Sequence, residues 1–160
     1  MNLIKIIESE YQKLGGGANG KVFVKDNIAN KITRNKNEYE IAKTLVNYEL
    51  KSFPKFYFAG ILNDNFLIKR DVVKLLKPNT IVRINHEKKY IDKYFFYKDK
   101  SSKTNLLKHF DESFILFFDQ LRDDVFKIEN INKNVDINQI DIHGENIGLN
   151  KNNDFVLFDF

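Results

Sequence analysis

The apolar positions of this chain follow one period in the first half and another in the second. Positions 21–25 alternate, with Val22 and Val24 on one side, and 28–33 continues as an extended segment after the turn pair Asp26-Asn27. The two segments read as a hairpin. Ile41, Ala42, Leu45 and Tyr48 then recur at helical spacing, which predicts a helix over 37–48. Asn35 or Asn37 can cap that helix, and Phe53-Pro54 lies beyond its end. Positions 56–62 and 66–69 read as two more strands joined at Asn63-Asp64-Asn65. Upstream, 3–11 is a short strand or a helix that leads into the glycine-rich stretch 14–20.

Beyond the last of these strands the pattern changes. Residues 78–104 are polar and rich in Lys and Tyr, and they read as irregular structure with one short helix around 87–96. Leu107, Phe110, Phe114, Phe117, Leu121, Val125 and Ile128 recur at steps of three and four. That spacing predicts an amphipathic helix of about six turns. An Asn/Asp-rich connection at 130–138 follows, then a loop over 140–149 and a final apolar strand at 155–158. Strands dominate the first half and helix the second, so the expected class is α+β with two lobes.

Composition narrows the function classes. The chain has 160 residues, enough for one compact domain or two small lobes, and its fifteen Phe and seven Tyr supply much of the core volume. No apolar stretch approaches the ~20 residues of a membrane span, and the N-terminal stretch lacks a signal-peptide layout, so a cytoplasmic protein is expected. With no cysteine there are no disulfides, thiolate metal sites or thiol nucleophiles. The net charge of +4 alone makes a weak case for a nucleic-acid partner, because no basic stripe with interleaved stacking aromatics accompanies it.

Three motifs carry chemistry. The first is Gly15-x-Gly17-x-x-Gly20-x-Val22, preceded by Leu14. It leads into the β-branched strand at 21–24 rather than opening a helix, the arrangement in which glycine backbone folds over nucleotide phosphates. The second is Ala29-Asn30-Lys31 on the next strand, whose lysine offers a compact, mobile positive charge. A carboxylate must hold that lysine, and the following helix offers Glu38 and Glu40. Glu38, three residues before Ile41 and seven before Leu45, lies closer to the apolar face. The third motif is Asp141-Ile-His-Gly-Glu-Asn146, with Asp159-Phe160 thirteen residues after Asn146. One carboxylate there can orient an attacking hydroxyl, while an amide oxygen and a second carboxylate suit Mg²⁺.

In order, the Gly-rich turn, the Lys31 strand, the Glu38 helix, Ile68-Lys-Arg-Asp-Val72, a long helix, D-x-x-x-x-N and D-F resemble the protein-kinase-like superfamily over residues 14–160. The resemblance implies a strand-rich N-lobe with one helix at 1–68 and a reduced helical C-lobe at 69–160, with ATP and Mg²⁺ in the cleft between them. It implies that Leu14, Gly15, Gly17, Gly20, Val22, Ala29, Arg70 and Val72 surround the nucleotide, the backbone of 68–72 meeting the adenine. Lys31, held by Glu38, would place the phosphates. Asn146 and Asp159 would hold the metal, and Asp141 would orient the acceptor. His143 occupies the position of the catalytic-loop lysine.

Two departures shape the functional expectation. Gln139-Ile140-Asp141 stands where signalling kinases carry H-R-D, and D-x-H-x-x-N is closer to bacterial and small-molecule kinases of the aminoglycoside, choline and lipopolysaccharide-core types. The sequence also stops at D-F, without the glycine, activation segment or later helices of the superfamily. The expected activity is transfer of the ATP γ-phosphate to a hydroxyl, on protein Ser/Thr first and on a small molecule second. The alternatives are a pseudokinase-like module that binds a nucleotide or partner without catalysis, and half of a split kinase. In either, a second copy or a partner chain would cover apolar surface of the reduced C-lobe.

Overall fold

A computed structural model describes residues 3–17 and 20–160 of the chain. The fold is α+β, and every strand pair among the described residues is antiparallel. The chain divides into two compact units, Met1–Glu49 with Lys55–Val72, and Leu50–Pro54 with Val73–Phe160.

In the first unit, α1 (Leu3–Glu10) precedes β1 (Gln12–Gly17), β2 (Gly20–Lys25), β3 (Ile28–Thr33), α2 (Lys36–Asn47), β4 (Phe56–Leu62) and β5 (Asn65–Asp71). Of the two readings open for 3–11, the helix is the one that forms. The five strands lie in the order β1-β2-β3-β5-β4. Part of the glycine-rich stretch is strand rather than loop. Gly15, Gly16 and Gly17 pair with Val22, Lys21 and Gly20, and the register slips at Leu14. Ala18 and Asn19 lie outside the described residues. Asp26 and Asn27 both take positive φ, 52° and 62°, which matches the twist of a tight hairpin.

Directly opposed residues of antiparallel strands point to the same side of a sheet. One face here carries Phe23, Ile32 and Leu67, which join Ile7 of α1 in a buried cluster flanked by Ile4, Tyr11 and Leu62. Each of these large side chains contributes about 1.5–3 kcal/mol on burial. The other face packs on α2, where Tyr39 stacks on Phe66 with centroids 4.4 Å apart. Asn35 caps α2 through its side chain, which accepts from the Glu38 amide.

The second unit departs further from the sequence pattern. Residues 78–104, expected to be mostly irregular, form three helices: α3 (Pro78–His86), α4 (Lys88–Tyr97) and α5 (Lys100–Leu106). Their boundaries are well marked. Pro78 opens α3, Lys98 closes α4 in the left-handed conformation, and the Asp99 side chain caps α5. Each buries few side chains, only Ile84 in α3, and this hides the period. The long helix α6 (Glu112–Ile131) begins at Glu112 and not at Leu107, because Asp111 caps it by accepting from the Phe114 amide. The stretch read as a loop at 140–149 ends in a strand. With β6 (Lys74–Leu75) and β8 (Phe155–Leu157), this β7 (Ile147–Leu149) makes a three-stranded sheet in the order β6-β7-β8. Phe155 packs edge-on against Phe114 of α6 with centroids 5.1 Å apart.

Leu50–Pro54 is built into this second unit. The buried Asp124 of α6 accepts from the Ser52 amide at 3.1 Å and from the Gln120 side chain at 3.0 Å. The Ser52 carbonyl in turn accepts from Leu157 N–H at 2.8 Å, on β8. Phe53 meets Phe160 edge-on at 5.7 Å, and Phe160 is buried. No helix among the described residues is long and apolar enough to cross a membrane.

The α5 cap has a pH signature. Hydrogen bonds from the Ser102 and Ser101 hydroxyls and the Ser102 amide bring the Asp99 carboxyl from 3.8 down to about 2. A value lower in the folded than in the unfolded chain means a contribution that is complete at neutral pH and fades as pH falls from about 4 towards about 2. An NMR titration of the Ser102 amide should therefore show its midpoint near 2. A midpoint at 3.8 would contradict the cap.

Candidate functional site

The residues singled out from sequence fall into two groups, one in each unit. In the first, the strand register decides the arrangement. Val22 opposes Lys31, Lys31 opposes Ile68, Val24 opposes Ala29, and Ala29 opposes Arg70. Val22, Ala29, Lys31 and Arg70 therefore share the face on which α2 packs. Gly20, opposite Thr33, sits at the end of the same row. It has no room for a side chain, because a Cβ there would lie 2.5 Å from the Ile32 carbonyl oxygen. Leu14, at the register slip, is exposed, while Ala29 and Arg70 are buried. Arg70 donates from its guanidinium to the Asp71 carbonyl at 3.0 Å. Val72 follows β5, and its N–H donates to the Asn27 carbonyl at 3.1 Å.

Lys31 is the centre of this group. Its Nζ donates to Glu38 Oε1 at 2.5 Å, and the two side chains are only 7% and 3% exposed. Glu40, the other carboxylate on α2, takes the Lys43 ammonium at 3.6 Å. A charge buried to this degree is tolerated only with a partner in good geometry. α2 supplies that partner from its first turn, in the frame set by the Asn35 cap.

In the second unit, Asp141, His143, Gly144, Glu145 and Asn146 lie between Ile140 and β7. Asp141 keeps an exposed carboxylate, its side chain 55% accessible, with both oxygens addressed. Lys88 of α4 lies 3.5 Å from Oδ1, and His143 Nε2 lies 3.2 Å from Oδ2. The other ring nitrogen of His143 is 2.8 Å from Glu145 Oε2. The Asn85 amide donates to both Glu145 oxygens, at 3.1 and 2.9 Å. That contact is the main cause holding the Glu145 carboxyl below its ordinary range, against the opposing effect of burial. Asn85 also accepts from Gly144 N–H at 2.7 Å. A Cβ on Gly144 would stand 2.7 Å from both the Cα and the carbonyl oxygen of Ile81 in α3, so glycine alone permits this close seating.

Asn146 and Asp159 lie at the end of the β7–β8 ladder. Ile147 opposes Leu157, and one step further Phe158 N–H donates to the Asn146 carbonyl at 2.9 Å. Asp159 is the next residue. The Asn146 amide nitrogen donates to the Asp141 carbonyl at 2.9 Å, which turns the amide oxygen the other way. Among the described residues no group of three or more His, Asp or Glu could hold a metal ion alone. One amide oxygen and one carboxylate nevertheless suit Mg²⁺, which commonly takes one or two protein ligands and completes its shell with phosphates and water. The donor set fits that ion.

Asn85, Lys88 and Glu145 do not figure among the residues expected from sequence. Pro78 as a helix opener, with Ile84, Ile91, Tyr94 and Phe95 at offsets of 0, 7, 10 and 11, was the available signal for the helices that carry two of them. No protein-family model matches the chain, and no curated protein matches it.

Two stability measurements check these arrangements. Glu38→Ala should cost about 3–5 kcal/mol in urea unfolding, because it removes the carboxylate hydrogen-bonded to a buried ammonium. The double change Lys31→Met with Glu38→Leu should cost far less, and equal losses would show that burial of charge is not the issue. Gly144→Ala should destabilise the second unit by about 1–3 kcal/mol, the range for overpacking. An unchanged unfolding midpoint would contradict the close approach of α3.

Proposed function

We propose that this chain is an ATP- and Mg²⁺-dependent, protein-kinase-like phosphotransferase that moves the γ-phosphate to a hydroxyl, with protein serine or threonine as the first candidate acceptor. The observation that carries the reading is the buried Lys31–Glu38 pair, on the strand that follows the glycine-rich hairpin and on the helix that follows that strand. Burying an ion pair yields little net stability. A fixed ammonium on the sheet face that also carries Val22, Ala29 and Arg70 is well suited to phosphate.

Each group then has a task. Gly20 and the paired glycines of β1 let backbone approach a phosphate closely, and Lys31 supplies the positive charge. Asn146 and Asp159 would hold Mg²⁺, which when bound neutralises charge on the nucleotide phosphates. Asp141, exposed and hydrogen-bonded through its loop, would orient the acceptor hydroxyl and accept its proton. His143 keeps one oxygen of that carboxylate in place. The two-lobed kinase architecture and the cytoplasmic setting belong to this same reading.

The test is a thermal shift with ATP and Mg²⁺, joined to a transfer assay with labelled ATP. Ligand at 100 times its dissociation constant should stabilise the protein by about 2.7 kcal/mol. Asp159→Ala should lose the metal-dependent part. Label should pass to the chain or to an added protein acceptor, and Asp141→Ala should abolish that transfer while keeping the thermal shift. Stabilisation without transfer would assign a nucleotide-binding module, and no stabilisation at all would remove the reading.

A further inference from the structure

Lys88 stands at the start of α4, in a stretch whose sequence pattern announces nothing. Its ammonium reaches the Asp92 carboxylate one turn on, at 3.0 and 3.1 Å, the Ile142 carbonyl at 3.2 Å, and Asp141 Oδ1 at 3.5 Å. An ammonium has three N–H donors. They are divided here between one anchor on its own helix and two points on the loop, 54 residues away along the chain for Ile142. One turn earlier, Asn85 holds the same loop at Gly144 and Glu145. The two helices α3 and α4 thus grip residues 141–142 through a cation and 144–145 through an amide.

The grip matters most at Asp141. An exposed carboxylate samples several rotamers, and a group that orients an acceptor must hold its place to within about 0.5 Å. Lys88 addresses Oδ1 and His143 addresses Oδ2, so the plane of the carboxylate is set from two sides while the side chain stays 55% accessible. Position 143 carries a histidine and not a lysine, and the ammonium at Asp141 comes from α4.

We propose that Lys88 is the positioning residue of Asp141, supplying from helix α4 a fixed cation that orients the acceptor-binding carboxylate. This rests on the phosphotransferase reading of the same loop. Lys88 acts through Asp141 and not on the substrate. Its loss should therefore slow turnover and leave nucleotide binding intact.

The experiment compares Lys88→Met, which keeps the aliphatic stem, with Lys88→Arg, which keeps the charge. The assays use ATP, Mg²⁺ and dephosphorylated casein as the acceptor probe, alongside transfer to the chain itself. Lys88→Met should lower kcat by about tenfold or more while KM for ATP stays within about twofold, and Lys88→Arg should recover most of the rate. Equal kcat in wild type and Lys88→Met would overturn the proposal. So would a loss in both variants with KM rising in step, which marks general structural damage. Hydrogen exchange gives a readout independent of activity. Amides of 141–147 should exchange faster in Lys88→Met, and those of 22–33 should not change. If the wild type transfers no phosphate, the phosphotransferase reading fails, and exchange still decides the clamp: unchanged protection of 141–147 refutes it.

Discussion

The first unit is organised by a charge that cannot be left alone. Lys31 lies in β3, with β2 on one side and β5 on the other, and its ammonium is removed from water. The sheet tolerates it because α2 delivers Glu38 to the same spot. That requirement fixes which side of α2 faces the sheet, and with it the stacking of Tyr39 on Phe66. The Asn35 cap sets where the helix starts, and so where Glu38 falls. Hydrophobic burial supplies more of the stability, through α1 on the opposite face, but it is less particular about register. An apolar face accepts many small rotations of a helix, whereas an ion pair accepts few.

The second unit solves a similar problem with different parts. Its polar loop has little regular structure of its own, yet nearly every side chain in it is held. Gly144 lies against the backbone of α3, Asn85 and Lys88 hold the loop from two helices, and the Asn146 carbonyl is drawn into the β7–β8 ladder. Such a loop can present exposed groups at fixed positions, because its backbone is satisfied from behind. Rigid support under exposed polar groups is what a reactive site requires.

How much of this was legible follows from how far each signal travels along the chain. β3 and β4 were readable to the residue, since strand alternation and turn pairs such as Asp26-Asn27 are local. The Lys31–Glu38 pair was readable because helical spacing ranks Glu38 above Glu40 at the apolar side. The helices at 78–106 were not, because three short helices each bury only a few side chains, among lysines that break the stripe. Leu107 and Phe110 extended the period of α6 backwards, but Asp111 ends that run by capping the helix. In the loop, the candidates Asp141 and Asn146 stand out in the sequence by type and spacing alone. Asn85 and Lys88 could not, because their role exists only once residues 54 to 60 positions apart are folded together.

The path of residues 50–54 carries a consequence for how the chain can be taken apart. α2 and β4 belong to the first unit, yet five of the residues between them, Leu50–Pro54, are built into the second, through Ser52, Asp124 and Leu157. The backbone therefore passes between the units three times, near positions 49, 54 and 72. A single cut after Val72 would not yield two intact modules. The downstream piece would lose the Ser52 carbonyl that supports β8 at Leu157 and the Phe53 ring against Phe160. Recombination at one junction could not exchange one unit and leave the other whole.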